Sequence, residues 1–167
     1  MREHVPRELC GGLWHMTHLD RFQSIFAGGS ILPEPNIPDS DRWKTSQGKD
    51  HYPYVRTLGG VSLFDFDQFD ADRYRKEYPV RAWYEFVPYV PSWGCSVWIE
   101  IDRGRAASQL ISGSDLVARA RWESDDAYGH SIMPQIEAAH LGPLPRVAFK
   151  RAFLVLEEDD QFHPLEW

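Results

Sequence analysis

Three short stretches of the chain carry residue types whose spacing could do chemistry. The first is His15-Met16-Thr17. On a strand, residues two apart face the same side, so His15 and Thr17 would offer an imidazole and a hydroxyl together to a polar ligand such as a ribose. A structural reading competes with it: THLD at 17–20 fits a capping box in which Thr17 caps a helix and Asp20 answers it, with His15 as a satisfied core histidine. The second is Glu137 in the run MPQIEAAHLGPLP at 133–145, a carboxylate among apolar neighbours. Such a group is costly to bury unless it is paired or functional, which suggests a strand edge entering a cleft; a surface strand Glu is the alternative. The third is GGVSLFD at 59–65, where a Gly-Gly entry allows close backbone approach and Ser62 and Phe64 then share a face. Here the competing reading is a hairpin turn followed by a packed strand. His15 with His18 resembles a metal pair but lacks a third ligand, so no metal is expected. Cys95 has no adjacent base, which sets a catalytic thiol aside.

Elements must position these groups. Leu9 to Met16 reads as a buried strand, leading to a helix with Leu19, Phe22, Ile25 and Phe26 on one face and Gly28-Gly29 as its stop. Between residues 33 and 60 prolines interrupt a polar segment that shows no period, so a long loop is expected there. Loops beyond about 12–15 residues are usually functional or disordered. Trp43, Tyr52 and Tyr54 would give this one apolar surface to close over a ligand as a lid. Val61 to Phe66 reads as a strand and 71–78 as a short polar helix; aromatics and prolines fill 82–94. Cys95 to Ile101 alternates most clearly, with Val97, Ile99 and Ile101 opposite Ser96, Trp98 and Glu100. A helix is expected over Ser114 to Trp122, a strand over Ala148 to Glu157, and DDQFHPLEW as a polar tail. Strands outnumber helices without regular alternation, which favours an α+β fold.

The chain has 167 residues, 43% of them hydrophobic, which suits one ordinary core and a single domain over 1–167. Its 18 Lys and Arg against 25 Asp and Glu give a net charge of -7, the opposite of a nucleic-acid footprint. No apolar run is long enough for a membrane span and the start is too polar for a secretory signal, so a cytoplasmic protein with no membrane partner is expected. Cys10 and Cys95 make no disulfide framework and read as buried small apolar residues. Aromatic residues, 14% of the chain, serve cores and ring-binding pockets alike.

The order of these features, a strand with His-x-Thr, a helix ending in Gly-Gly, a long loop, GVSLF and a late Ile-Glu, resembles the ADP-ribosyltransferase superfamily. The opening LWHMTHLDRFQSIFAGG at 13–29 is similar to the start of the DarT-type DNA ADP-ribosyltransferases, and IEAAHLGPLP at 136–145 resembles their catalytic-glutamate segment. The resemblance implies a split core of two small, mainly antiparallel sheets around an NAD cleft, with short flanking helices. It implies NAD+ as co-substrate, nicotinamide release, and transfer of ADP-ribose to a macromolecular acceptor, protein or nucleic acid, in a toxin or conflict-system role that brings an antitoxin or immunity protein as partner. By motif position Glu137 is then catalytic, His15 and Thr17 hold ribose hydroxyls or the nicotinamide amide, and Ser62 or Phe64 lines the nicotinamide pocket. Arg56 would pair with the pyrophosphate and His140 would support Glu137. The middle-strand position matches neither the Arg-Ser-Glu nor the His-Tyr-Glu set, and the acidic balance does not favour a polyanionic acceptor. A non-catalytic NAD or ADP-ribose binding module, or a protein-interaction module, is the alternative; RNA 2′-phosphotransfer would need more basic residues between the motifs.

Overall fold

The computed structural model describes residues 4–42, 48–79, 83–122 and 130–167. Its centre is the alternating segment that reads most clearly in the sequence. Strand β4 (Cys95–Ile101) turns Val97, Ile99 and Ile101 into one core cluster and Trp98 into another. β1 (Leu13–Thr17) lies antiparallel on one side of it and β8 (Phe149–Leu156) on the other. The remaining strands of this sheet are β3 (Gly60–Asp65), β5 (Leu110–Ile111), β6 (Glu137–Leu141) and β9 (Phe162–Leu165), in the order β5-β6-β3-β1-β4-β8-β9. β2 (Ser30–Ile31) and β7 (Leu144–Pro145) pair separately as a two-stranded ribbon. The fold is α+β, with one antiparallel seven-stranded sheet where two small sheets were expected. The reason lies in β1, which bridges β3 and β4 through Trp14, paired with Phe64 and with Glu100.

Both faces of the sheet are apolar. Trp14, Phe64, Phe66, Trp98 and Phe153 build one cluster; Leu13, Val61, Leu63, Ile99 and Ala138 belong to the other. Burying a large apolar side chain contributes about 1.5–3 kcal/mol, so the paired clusters hold the sheet. Glu100 is buried on the aromatic side and accepts from Lys150 Nζ at 2.8 Å and from Arg151 Nε. Helix α1 (Leu19–Gly28) rests Leu19, Phe22 and Ile25 on the second cluster. It ends at Gly29, whose φ of 76° is the left-handed conformation that spares glycine a Cβ clash, with its N–H on Ile25 O. The short helices are α2 (Tyr54–Thr57), α3 (Ala71–Glu77), α4 (Arg103–Ala106) and the longer α5 (Gly113–Trp122).

Several expectations change. Leu9 is not in the opening strand; residues 9–12 form a turn in which Leu9 O accepts from Gly12 N–H at 3.2 Å and from the Trp14 indole at 3.0 Å. Thr17 does not cap α1. It ends β1, and His18 is the cap, its Nδ1 accepting from Asp20 N–H at 3.2 Å. The tail at 159–167 is not a free polar segment, because β9 adds to β8 and Phe162 meets Phe153 edge-on at 5.7 Å between centroids. Trp167 then sits 5.7 Å from Phe26. Cys10 is exposed and Cys95 half-buried, so neither is a core residue. Among the described residues no helix is long and apolar enough to cross a membrane.

Segment 33–60 is built rather than loose where it is described. It holds α2 and two 3-10 turns, Asp39–Asp41 and Lys49–His51. Tyr54 is 1% exposed and packs in a core cluster with Leu116, so it supplies no lid surface. Trp43 lies outside the described residues.

Candidate active site

The ladder between β1 and β3 has two pairs, Leu13↔Asp65 and Trp14↔Phe64. Past Trp14 the two strands take different partners, β1 with β4 and β3 with β6. A cleft of about 910 Å³ opens along this divergence, at the upper end of the size range of small-molecule sites. His15, Thr17, Arg56, Ser62, Phe64 and Glu137 all line it. By the alternation of the pleat, Ser62, Phe64 and Glu137 come from the Trp14 face and His15 and Thr17 from the other; the split gives both sets access to one space.

Glu137 opens β6 opposite Phe64 and is 6% exposed, which removes the surface-Glu reading. Its Oε1 accepts from Ser62 Oγ at 2.7 Å and its Oε2 from Met133 N–H at 3.0 Å. The Ser62 contact is the diagonal that antiparallel register permits: Ser62 pairs with Ala139, two residues beyond Glu137 on the same face. Ser62 also joins β1 to the site, since its carbonyl lies 3.1 Å from His15 Nδ1. In neutral imidazole that contact makes Nδ1–H the donor and leaves Nε2 as an acceptor. Burial pulls the His15 pKa from 6.5 down to about 4, against the upward pull of the bond to Ser62, so the ring is neutral at neutral pH. The chemistry on hand is an anchored carboxylate, an adjacent hydroxyl and an uncharged imidazole acceptor beside an aromatic wall. That set suits orienting sugar hydroxyls and facing a developing cation.

His15 predicts a pH effect. Above about pH 6.5 the ring is neutral whether the chain is folded or not; between pH 6.5 and about 4 the unfolded chain alone takes the proton, so stability falls as pH falls. The loss reaches at most about 3 kcal/mol below pH 4. Unfolding free energies of wild type and His15→Gln should therefore diverge between pH 7 and 4.5, with the wild type losing more. Parallel curves would contradict the assignment.

Arg56 faces a different partner from the one expected. Its Nε and Nη2 donate to Glu34 at 2.6 and 2.9 Å and its Nη1 donates to Asp39 at 3.0 Å, with the guanidinium 3.7 Å over the Tyr52 ring. Glu34 also takes Arg42 at 2.6 Å, and the Tyr52 hydroxyl donates to Asp39. The Arg56 bond first, and Arg42 after it, hold the Glu34 carboxyl below its usual range. Arg56 therefore ties residues 34–39 to α2 and reaches an anionic ligand only by sharing or exchanging these carboxylates. Arg56→Ala should speed proteolytic cleavage within 33–57 about tenfold, the factor that about 1.4 kcal/mol of local stability represents. An unchanged cleavage rate would show that other contacts hold the segment.

His140 does not join Glu137; its Nδ1 contacts Gly142 O at 3.2 Å in the turn after β6. Sequence reasoning missed Met133, which acts through a backbone N–H that no side-chain pattern reveals. It also missed Arg21, Arg42 and Trp93 on the cleft wall. Trp93 had a signal, the aromatic density of 82–94. It stands edge-on to His18 at 6.0 Å, with the Arg21 guanidinium 6.0 Å from its centroid. No group of three or more His, Cys, Asp or Glu side chains suited to a metal occurs among the described residues.

No family model, curated protein or solved structure matches the chain.

Proposed function

We propose that this protein is an NAD+-dependent ADP-ribosyltransferase, moving ADP-ribose from NAD+ to a macromolecular acceptor with release of nicotinamide. The observation that carries the reading is Ser62 acting as a hub, its hydroxyl on Glu137 and its carbonyl on His15, inside a cleft of about 910 Å³. Three separate sequence motifs meet there.

In the proposed reaction the bond between ribose C1′ and the pyridinium nitrogen breaks, and its electron pair leaves with neutral nicotinamide. C1′ becomes oxocarbenium-like, the acceptor attacks it, and the acceptor's proton is lost to solvent or a base. Glu137 supplies negative charge where positive charge develops, as carboxylates do in glycoside hydrolysis. His15 Nε2 accepts from a ribose hydroxyl, Thr17 supplies a further hydroxyl, and Phe64 gives a ring face for nicotinamide. Cytoplasmic action, a toxin-like role and a neutralising protein partner belong to the same proposal.

The test is incubation of pure protein with NAD+ labelled in the adenylate, in whole-cell lysate, reading free nicotinamide and label in protein, DNA and RNA. Nicotinamide release with label in one acceptor class is expected. Release without incorporation would make the protein a glycohydrolase instead, and NAD+ left intact would sink the proposal.

A further inference from the structure

Glu137 is held from behind by residues that do not line the cleft. Asp65 closes β3 and is 6% exposed. Its backbone N–H donates to the carbonyl of Ile136, next to Glu137, at 2.6 Å. Its carboxylate receives both ends of the Arg103 guanidinium, Nη2 on Oδ1 and Nη1 on Oδ2 at 3.3 Å. Oδ2 also faces the N–H of Gly113 at 3.4 Å. Gly113 in turn presses against the turn before β6: a Cβ there would stand 2.1 Å from Gln135 O. Gln135 itself has a φ of 66°, a left-handed conformation that a side-chain-bearing residue adopts only when its surroundings impose it. Within this turn Met133 N–H grips Glu137 Oε2 at 3.0 Å and Met133 O accepts from Glu137 N–H at 2.9 Å. The end of β3 and the start of α5 thus meet one five-residue turn, and the start of α4 reaches it through Asp65.

We propose that Asp65, fixed by Arg103, is a positioning residue for the Glu137 carboxylate; this rests on the reading of Glu137 as the catalytic group. Asp65 and Arg103 border a separate cavity of about 300 Å³ and are not among the residues that line the cleft. Asp65 is buried and Arg103 half-buried, so the pair is a modest source of stability, and what it supplies here is a fixed geometry where β3, α4 and α5 meet. A displacement of about 1 Å at a reacting group is enough to lower a rate by about 10²-fold.

Two variants disturb the turn by different means. Asp65→Asn keeps the side-chain size and removes the charge that seats Arg103. Gly113→Ala leaves the ion pair and pushes Gln135 directly. For each, kcat and KM of nicotinamide release, the Kd for NAD+, and amide hydrogen exchange at Met133 and Glu137 are read together. The expected result is a kcat at least about tenfold lower with KM and Kd within about twofold. Exchange at Met133 and Glu137 should rise about tenfold while β8 amides keep their rates. In a Glu137→Gln background, Asp65→Asn should add little further loss, because the two act through one group. Wild-type kcat in a folded Gly113→Ala protein, or faster exchange shared equally by β8, would overturn the positioning role. Should the wild type release no nicotinamide, the catalytic reading of Glu137 falls separately, and unchanged exchange at Met133 and Glu137 would then overturn the clamp.

Discussion

Glu137→Gln is expected to slow nicotinamide release by about 10²–10³-fold while NAD+ affinity stays within about twofold. The amide can keep the contacts to Ser62 and Met133 that help seat the carboxylate. Met133 N–H can only donate, so it takes the amide oxygen; the Ser62 hydroxyl can accept, so it takes the amide NH2. Shape and these two hydrogen bonds survive and the negative charge is lost. The effect therefore isolates the electrostatic term that acts on the transition state rather than on bound NAD+. Initial rates of nicotinamide release and calorimetric binding of NAD+ measure the two quantities separately. A loss of affinity as large as the loss of rate would make Glu137 a binding residue, and an unchanged rate would remove it from the chemistry.

Trp98→Ala should lower the unfolding free energy by about 3–5 kcal/mol, the usual cost of deleting a large buried aromatic. Trp98 is 0% exposed at the middle of β4, its indole N–H donates to Pro88 O, and its ring meets Phe64 edge-on at 5.1 Å between centroids. The truncation leaves a cavity, loses a donor to a buried carbonyl, and removes the support under a ring that lines the cleft. For a chain of this size the melting temperature should fall by roughly 6–20 °C. Urea unfolding measures the change directly, with Leu32→Ala as the control: Leu32 is 47% exposed and its truncation should stay within about 0.5 kcal/mol. A loss below about 1 kcal/mol for Trp98→Ala would show that the aromatic cluster repacks around the gap.

The parts of this fold that read directly from the chain are those in which side chains alternate strongly. Val97, Ile99 and Ile101 against Trp98 mark β4 from Cys95 to Ile101, and Val61 and Leu63 against Phe64 mark β3, because each strand sends bulky apolar residues to a core cluster on either face, with Ser96, Glu100 and Ser62 as the polar interruptions. The six site residues singled out in the sequence all line the cleft; His15, Thr17, Ser62, Phe64 and Glu137 lie on strands, whereas Arg56 lies on α2, inside the segment read as a loop. What did not read is set by long-range partners. β9 contains His163 and Pro164, poor strand signals that become acceptable on an edge strand lying on β8. Arg56 is a lone cation in sequence and a bridge to Glu34 and Asp39 in space, and Asp65 finds Arg103 across 38 residues. The capping pattern THLD placed the helix start one residue early because an imidazole Nδ1 can serve as the cap acceptor. A split between two expected sheets became a split within one sheet, since Trp14 pairs on both sides before β1 and β3 part.

The most direct measurement is a titration of isotope-labelled protein with NAD+, followed by the amide resonances of His15, Ser62 and Met133 and the imidazole resonance of His15. Binding along the opening between β1 and β3 predicts saturable shifts at these positions, sharing one Kd, with β8 and β9 unmoved. Resonances that stay still at millimolar NAD+, or that move only on β8 and β9, would contradict the placement of NAD+ in this cleft.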